Sequence, residues 1–236
     1  MQHSRWWKTF VMAGLIGAAS ANPNASAADE ASDLAFDPTL TWTNFLGSAK
    51  NDDGYGVAVD AAGNLYLVGT SLATWGNPLR AHSGGPDLVV AKLDSSGNLL
   101  WNPFLGSQGA DQGYGIALDA SGNIAVVGYS DSDWGGPLRA HSGLSDILVA
   151  KLSGAGPLLW HSFLGTSEGM SAGSGVAIDS QGNLLVTGKS DADWGDALRP
   201  HAANKQPDIV VAKLGASGGL LWNTFLGSMD NDEGEA

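Results

Sequence analysis

Four copies of one short string constrain this chain more than any other feature. Trp42 to Gly47 reads Trp-Thr-Asn-Phe-Leu-Gly, and Trp101 to Gly106, Trp160 to Gly165 and Trp222 to Gly227 repeat it with changes only between Trp and Phe. The tryptophans recur at intervals of 59, 59 and 62 residues. A period of that size belongs to a supersecondary unit whose copies stack on one another. The extra residues of the last interval fall before Asp208 and between Gly165 and Gly175. Both places read as loops, where length can vary without disturbing a core.

Each unit reads as four short strands. The first is Val57–Val59, repeated at Ile116–Leu118 and Val176–Ile178. A turn with Asp, Gly and Asn follows, at 60–64, 119–123 and 179–183. The second strand is Leu65–Gly69, Ile124–Gly128 and Leu184–Gly188. A longer insert leads to the third strand, Asp87–Leu93, Asp146–Leu152 and Asp208–Leu214. Another Gly-containing turn leads to the fourth, which ends in Phe-Leu-Gly. Val, Ile and aromatic residues fill the strands and Gly, Asn, Asp and Ser fill the turns, so the strands should be antiparallel neighbours.

The third strand is apolar on both faces, Val89, Ala91 and Leu93 on one and Leu88 and Val90 on the other. Lys92 can run its stem along that surface and carry its charge outward. A sheet buried on both faces must lie between like sheets. The predicted fold is all-β: a propeller of four-stranded antiparallel blades, three blades plus a leading outer strand at 40–47. The blade units span about 54–106, 113–165 and 173–227, and residues 228–236 match the start of a further unit.

Gly54-Tyr55-Gly56-Val57-Ala58-Val59-Asp60, Gly63 to Thr70, Asp87 to Leu93 and Trp101 to Gly106 resemble the SBBP (seven-bladed β-propeller) repeat family of bacteria. The resemblance covers about residues 40–236. It implies a secreted or cell-surface propeller and transfers no catalytic residue, since a fold does not carry a function. Three units and an orphan leading strand suggest part of a longer propeller. The rival expectation is a half-ring that closes as a homodimer.

Residues 1–27 read as a secretory signal. Arg5 and Lys8 precede an apolar run, Phe10 to Ala19, too short to span a bilayer. Ala19-Ser20-Ala21 and Ala25-Ser26-Ala27 both fit cleavage, and Ala27 is favoured. Residues 28–39 read as a linker, and no later stretch is long enough for a membrane span. The expected location is extracellular or cell-surface, with the periplasm as the alternative.

Composition removes several functions. Lys and Arg number 11 against 24 Asp and Glu, a formal net charge of -13, so a nucleic-acid partner is excluded. The absence of cysteine removes disulfides, thiol catalysis and Cys-ligated metals. Glycine at 34 of 236 residues argues against a helical protein.

The inserts and the acidic connections between units, with Asp52, Asp53, Asp111, Glu168 and Asp230 to Glu233, share one end of the blades. A binding face is expected there, built from Trp75, Arg80 and His82, from Trp134, Arg139 and His141, and from Trp194, Arg199 and His201. Three imidazoles can hold a metal and three indoles can stack sugars. The plainer reading is that each set caps its own blade. No cofactor is expected. Calcium is the one cation the residues suggest, through Asp131-Ser132-Asp133 and Asp191-Ala192-Asp193. No nucleophile elbow, zinc motif or phosphate loop occurs. The expected role is therefore a non-enzymatic scaffold for a protein or glycan at the cell surface. The alternative is a carbohydrate-active or metal-dependent propeller enzyme with its site in other blades.

Overall fold

The computed structural model describes residues 41–202 and 206–228. The expected leader, the linker and residues 229–236 of the expected further unit lie outside them. All thirteen strands of the described residues belong to one compact unit within Leu46–Ala236, and the described residues contain no helix.

Blade 1 is β1 (Asp52–Val59), β2 (Leu65–Ser71), β3 (Asp87–Leu93) and a broken outer strand, β4 (Leu99–Trp101) and β5 (Phe104–Leu105). Blade 2 is β6 (Asp111–Leu118), β7 (Ile124–Ser130), β8 (Asp146–Leu152) and β9 (Leu158–Leu164). Blade 3 is β10 (Ser171–Ile178), β11 (Leu184–Ser190), β12 (Asp208–Leu214) and β13 (Leu220–Leu226). Every pairing is antiparallel and runs in chain order. The architecture is the all-β stack of propeller blades that the repeat predicts.

The turns explain the hairpins. In the first, Asp60 Oδ1 accepts the N–H groups of Ala62 and Asn64 at 2.9 Å each, and Gly63 takes a φ of 79°. Asp94, Asp119 and Asp179 repeat the device. The lysines of the third strands finish it on two blades. Lys151 pairs with Asp119 at 3.2 Å and Lys213 with Asp179 at 2.9 Å, while Lys92 lies over the Tyr66 ring.

Two cores lie between the blades. Tyr66, Val68, Leu88, Val90 and Leu105 of blade 1 meet Ile124, Val126, Leu148, Ala150, Leu152 and Phe163 of blade 2. The other face of blade 2, with Val127, Ile147, Val149 and Leu164, meets Val186, Val210, Ala212, Leu214 and Phe225 of blade 3. Each fully buried side chain of this kind contributes about 1.5–3 kcal/mol.

Three differences from the sequence reading have local causes. The leading outer strand is not formed: residues 41–48 carry no strand, and the described residues supply no neighbouring third strand for it. The outer strand of blade 1 is split because Pro103 stands where blade 2 has Ser162, and proline has no N–H for the ladder. The first strand of each unit begins earlier than expected, so Asp52, Asp53 and Asp111 lie in β1 and β6 rather than in connecting loops. A bulge hides that early start. The register slips between Gly54 and Gly56, between Gly113 and Gly115, and between Gly173 and Gly175.

Candidate functional site

The nine insert residues fold back on their own blades. Trp75 and His82 both present edges to Phe104, at centroid distances of 5.8 and 6.0 Å. Trp134 and His141 do the same with Phe163, and Trp194 and His201 with Phe225. Each arginine then ties the insert to the outer strand. Arg80 donates to Phe104 O at 2.7 Å and Gly106 O at 2.8 Å, Arg139 to Phe163 O and Gly165 O, and Arg199 to Gly227 O. His141 Nε2 donates to Ser130 O and His201 Nε2 to Gln206 O. Trp134 and Trp194 are buried. The three sets do not converge on one point, although the Arg80 guanidinium lies over the Trp134 ring of the next blade at 5.3 Å, and no group of three metal-ligating side chains occurs among the described residues. The Asp-x-Asp carboxylates also face the backbone. Asp131 accepts from Ala110 N, Asp133 from His141 N, Asp191 from Met170 N and Asp193 from His201 N.

Buried aspartates anchor this end of the blades, Asp87 and Asp111 at the first joint and Asp146 at the second. Asp87 accepts the N–H and hydroxyl of Ser83, at 2.7 and 2.8 Å. Asp111 accepts from Ser107 N, Ser130 Oγ and Trp134 Nε1, the last at 2.8 Å. Burial pushes both carboxyls above the ordinary 3.8, against the opposing pull of those hydrogen bonds. A carboxyl raised in the native state favours folding fully at pH values below 3.8. That contribution is lost as pH rises through the raised native value. Asp87→Asn removes the loss. Urea melts at pH 4 and pH 7 should show the variant gaining stability relative to the parent as pH rises. A pH-independent difference would contradict this reading. The turn aspartates act in the opposite sense. The side-chain amide of Asn98 holds Asp94 low, and the side-chain amide of Asn183 together with the Lys213 ammonium holds Asp179 low.

The bulges create a second arrangement at the same end of the blades, one that the sequence reading did not single out. A bulge adds one residue to a strand and re-aims its side chain. The added residues are Tyr55, Tyr114 and Ser174. Equivalent positions of neighbouring blades are close here because the first strands lie side by side. A Cβ on Gly56 would stand 2.9 Å from Tyr114 O, and one on Gly115 would stand 3.0 Å from Ser174 O. Only glycine allows that approach. The Tyr55 and Tyr114 rings therefore meet edge to face at 5.0 Å, and Tyr129 of β7 lies 6.1 Å beyond Tyr114.

Tyr55 is exposed, and Tyr114 and Tyr129 are half-buried. Tyr114 donates to Gln112 Oε1 at 2.8 Å, which fixes its ring. Partial burial pushes Tyr114 up to about 12, with Tyr129 and Tyr55 adding to the rise. Tyr55 and Tyr129 are also raised, by burial first and then by Asp53 beside Tyr55 and by Asp131 and Asp111 beside Tyr129. All three phenols are neutral at physiological pH. They offer apolar faces and hydroxyl donors, not phenolate bases. The signal in the sequence was a break in the repeat: tyrosine at 55 and 114 becomes Ser174, and Tyr129 stands where its counterparts are Thr70 and Lys189.

Comparison with known proteins agrees with the blades. No curated protein matches the chain. One solved structure, a protein of unknown function from Bacteroides caccae, is 14% identical, with 84% of this chain and 76% of that chain covered and a TM-score of 0.38. The SBBP beta-propeller repeat model matches residues 42–78 and 159–193, stretches that include β1 and β2 of blade 1 and β10 and β11 of blade 3. The chain carries SBBP beta-propeller repeats at 42–78 and 159–193, and these supply the first two strands of blades 1 and 3.

Proposed function

We propose that the chain is a secreted or cell-surface, non-enzymatic binding scaffold that contacts a glycan through Tyr55, Tyr114 and Tyr129. The observation that carries this reading is the meeting of aromatic rings from two blades at bulges, 5.0 and 6.1 Å apart. Bulges re-aim side chains where a ligand is held. A row of neutral phenols suits the apolar C–H face of a sugar ring, with the Tyr55 and Tyr129 hydroxyls placed to donate to its edge and the Tyr114 oxygen, whose proton Gln112 holds, placed to accept. Asp53 and Asp131 are both exposed and flank the row, adding acceptors for sugar hydroxyls. The leader-like segment at 1–27 supports export.

The test is calorimetric titration of the chain with a panel of soluble oligosaccharides, repeated with Tyr55→Ala and Tyr114→Ala. Each variant should weaken binding at least about tenfold, the equivalent of 1.4 kcal/mol. A ligand bound equally well by both variants removes the tyrosines from the site. Release of new reducing ends during the titration would replace the scaffold reading with an enzymatic one.

A further inference from the structure

The blade joint occurs twice in the chain, and both times it has the same two halves. One half is the flat face of the second and third strands of the leading blade. The other is the first strand of the following blade, laid flush upon it. Flush contact needs glycine. A Cβ on Gly113 would run into Val68 and Leu88, and one on Gly173 would run into Val127 and Ile147. Beside these glycines, Ile116 and Leu118 pack into the first core and Val176 and Ile178 into the second.

Each half also occurs once more without a described counterpart. In blade 2, Val127, Ile147 and Val149 are 0% exposed and Leu164 is 1%. Their blade 3 equivalents, Thr187, Ile209 and Val211, are only half-buried, and Leu226 is 43% exposed. Strands β11 and β12 alternate between buried and half-buried positions, whereas β8 is buried throughout. At the opposite end of the stack, Val57 and Val59 of β1 stand where Ile116 and Leu118 stand in β6, yet they are 43% and 58% exposed. One end carries the seat of a joint, and the other carries the strand that fits such a seat.

We propose that this chain associates with a second copy of itself, β1 of one copy seating on β11 and β12 of the other. The occupant follows from continuity with the existing joints: among the described residues, the surfaces left open are the third copies of the two halves already joined twice. The contact is head-to-tail. Two copies related by a two-fold axis close it into a ring of blades, since each supplies one seat and one strand. Closure removes both apolar faces from water. This inference does not depend on the tyrosine row.

The test is the solution mass of the purified chain by light scattering over a hundredfold concentration range, with Val57→Glu and Val211→Glu measured alongside. Both residues lie at least partly exposed, so the variants should keep the parent's circular dichroism and a cooperative melt. The expected result is a discrete particle of twice the chain mass, halved by either substitution. A parent that is monomeric throughout the range overturns the proposal. So does a dimer that neither substitution affects, because its contact then lies elsewhere. A polydisperse parent overturns it too, since the open faces would then be sticky without being complementary.

Discussion

Asp111→Ala should lower the melting temperature by roughly 6–12 °C, the shift that a loss of about 3 kcal/mol gives in a domain of this size. The carboxylate is wholly buried and gathers Ser107, Ser130 and Trp134 around one side chain. Removing it leaves the buried indole N–H of Trp134 and the backbone N–H of Ser107 without their acceptor, while the Ser130 hydroxyl keeps Ser132 O at 2.7 Å. Each such orphan costs about 1–3 kcal/mol, which outweighs the relief of no longer burying a charge that is already raised toward neutrality. The protein contains its own control. Blade 3 has Ser171 at the equivalent position, where it bonds Ser190 at 2.8 Å, and there the buried Trp194 Nε1 has no partner. Ser171→Asp should therefore raise the melting temperature, by less than Asp111→Ala lowers it, because the new carboxylate must itself be buried. Asp53→Ala sets the scale for an exposed aspartate. A loss at Asp111 no larger than that at Asp53 would show that the network does not hold the insert.

The repeat made most of the fold legible, and the reasons are particular. The third strands Asp87–Leu93, Asp146–Leu152 and Asp208–Leu214 match β3, β8 and β12 end to end, because a strand buried on both faces has an unbroken apolar run with sharp edges. The first strands were legible only in their second halves. Asp52-Asp53-Gly54 carries acids and glycine, a loop composition, yet it pairs with Gly69 to Ser71. A bulge needs glycines that propensity counts against a strand. The candidate site shows the same limit. Trp75, Arg80 and His82 look like a binding set because they are large, polar-tipped and repeated. Repetition goes with a structural use, each set clamping the Phe-Leu-Gly of its own blade. The tyrosines went unnoticed because what distinguishes them is the failure of the repeat at Ser174 and Thr70. Their convergence rests on a backbone irregularity that no side-chain pattern announces.

That irregularity yields the other large effect. Gly128→Ala should cost at least about 3 kcal/mol and destroy the tyrosine row with it. Gly128 pairs with Gly113 at the edge of the bulge, where β6 carries its extra residue. The bulge tips the Gln112 carbonyl over β7, so a methyl group on Gly128 would fall inside that oxygen, with Gln112 C at 2.8 Å and Gly113 Cα at 3.0 Å. All three obstacles are backbone, so no side-chain rotation relieves them. Either β6 and β7 part or the bulge straightens, and straightening turns Tyr114 away from Tyr55. Gly69 and Gly188 face the same obstacle from Asp53 O and Ala172 O, which explains why glycine recurs there in all three units. Gly122→Ala is the comparison. It sits at a φ of 77° with nothing within 4 Å of a new Cβ, so it carries only the left-handed backbone strain of about 1–2 kcal/mol. Urea midpoints should rank Gly128→Ala far below Gly122→Ala, and far below the parent. Similar midpoints for the two variants would mean that the bulge yields easily. The tyrosine row would then be a soft feature of the blade edge rather than a geometry the repeat enforces.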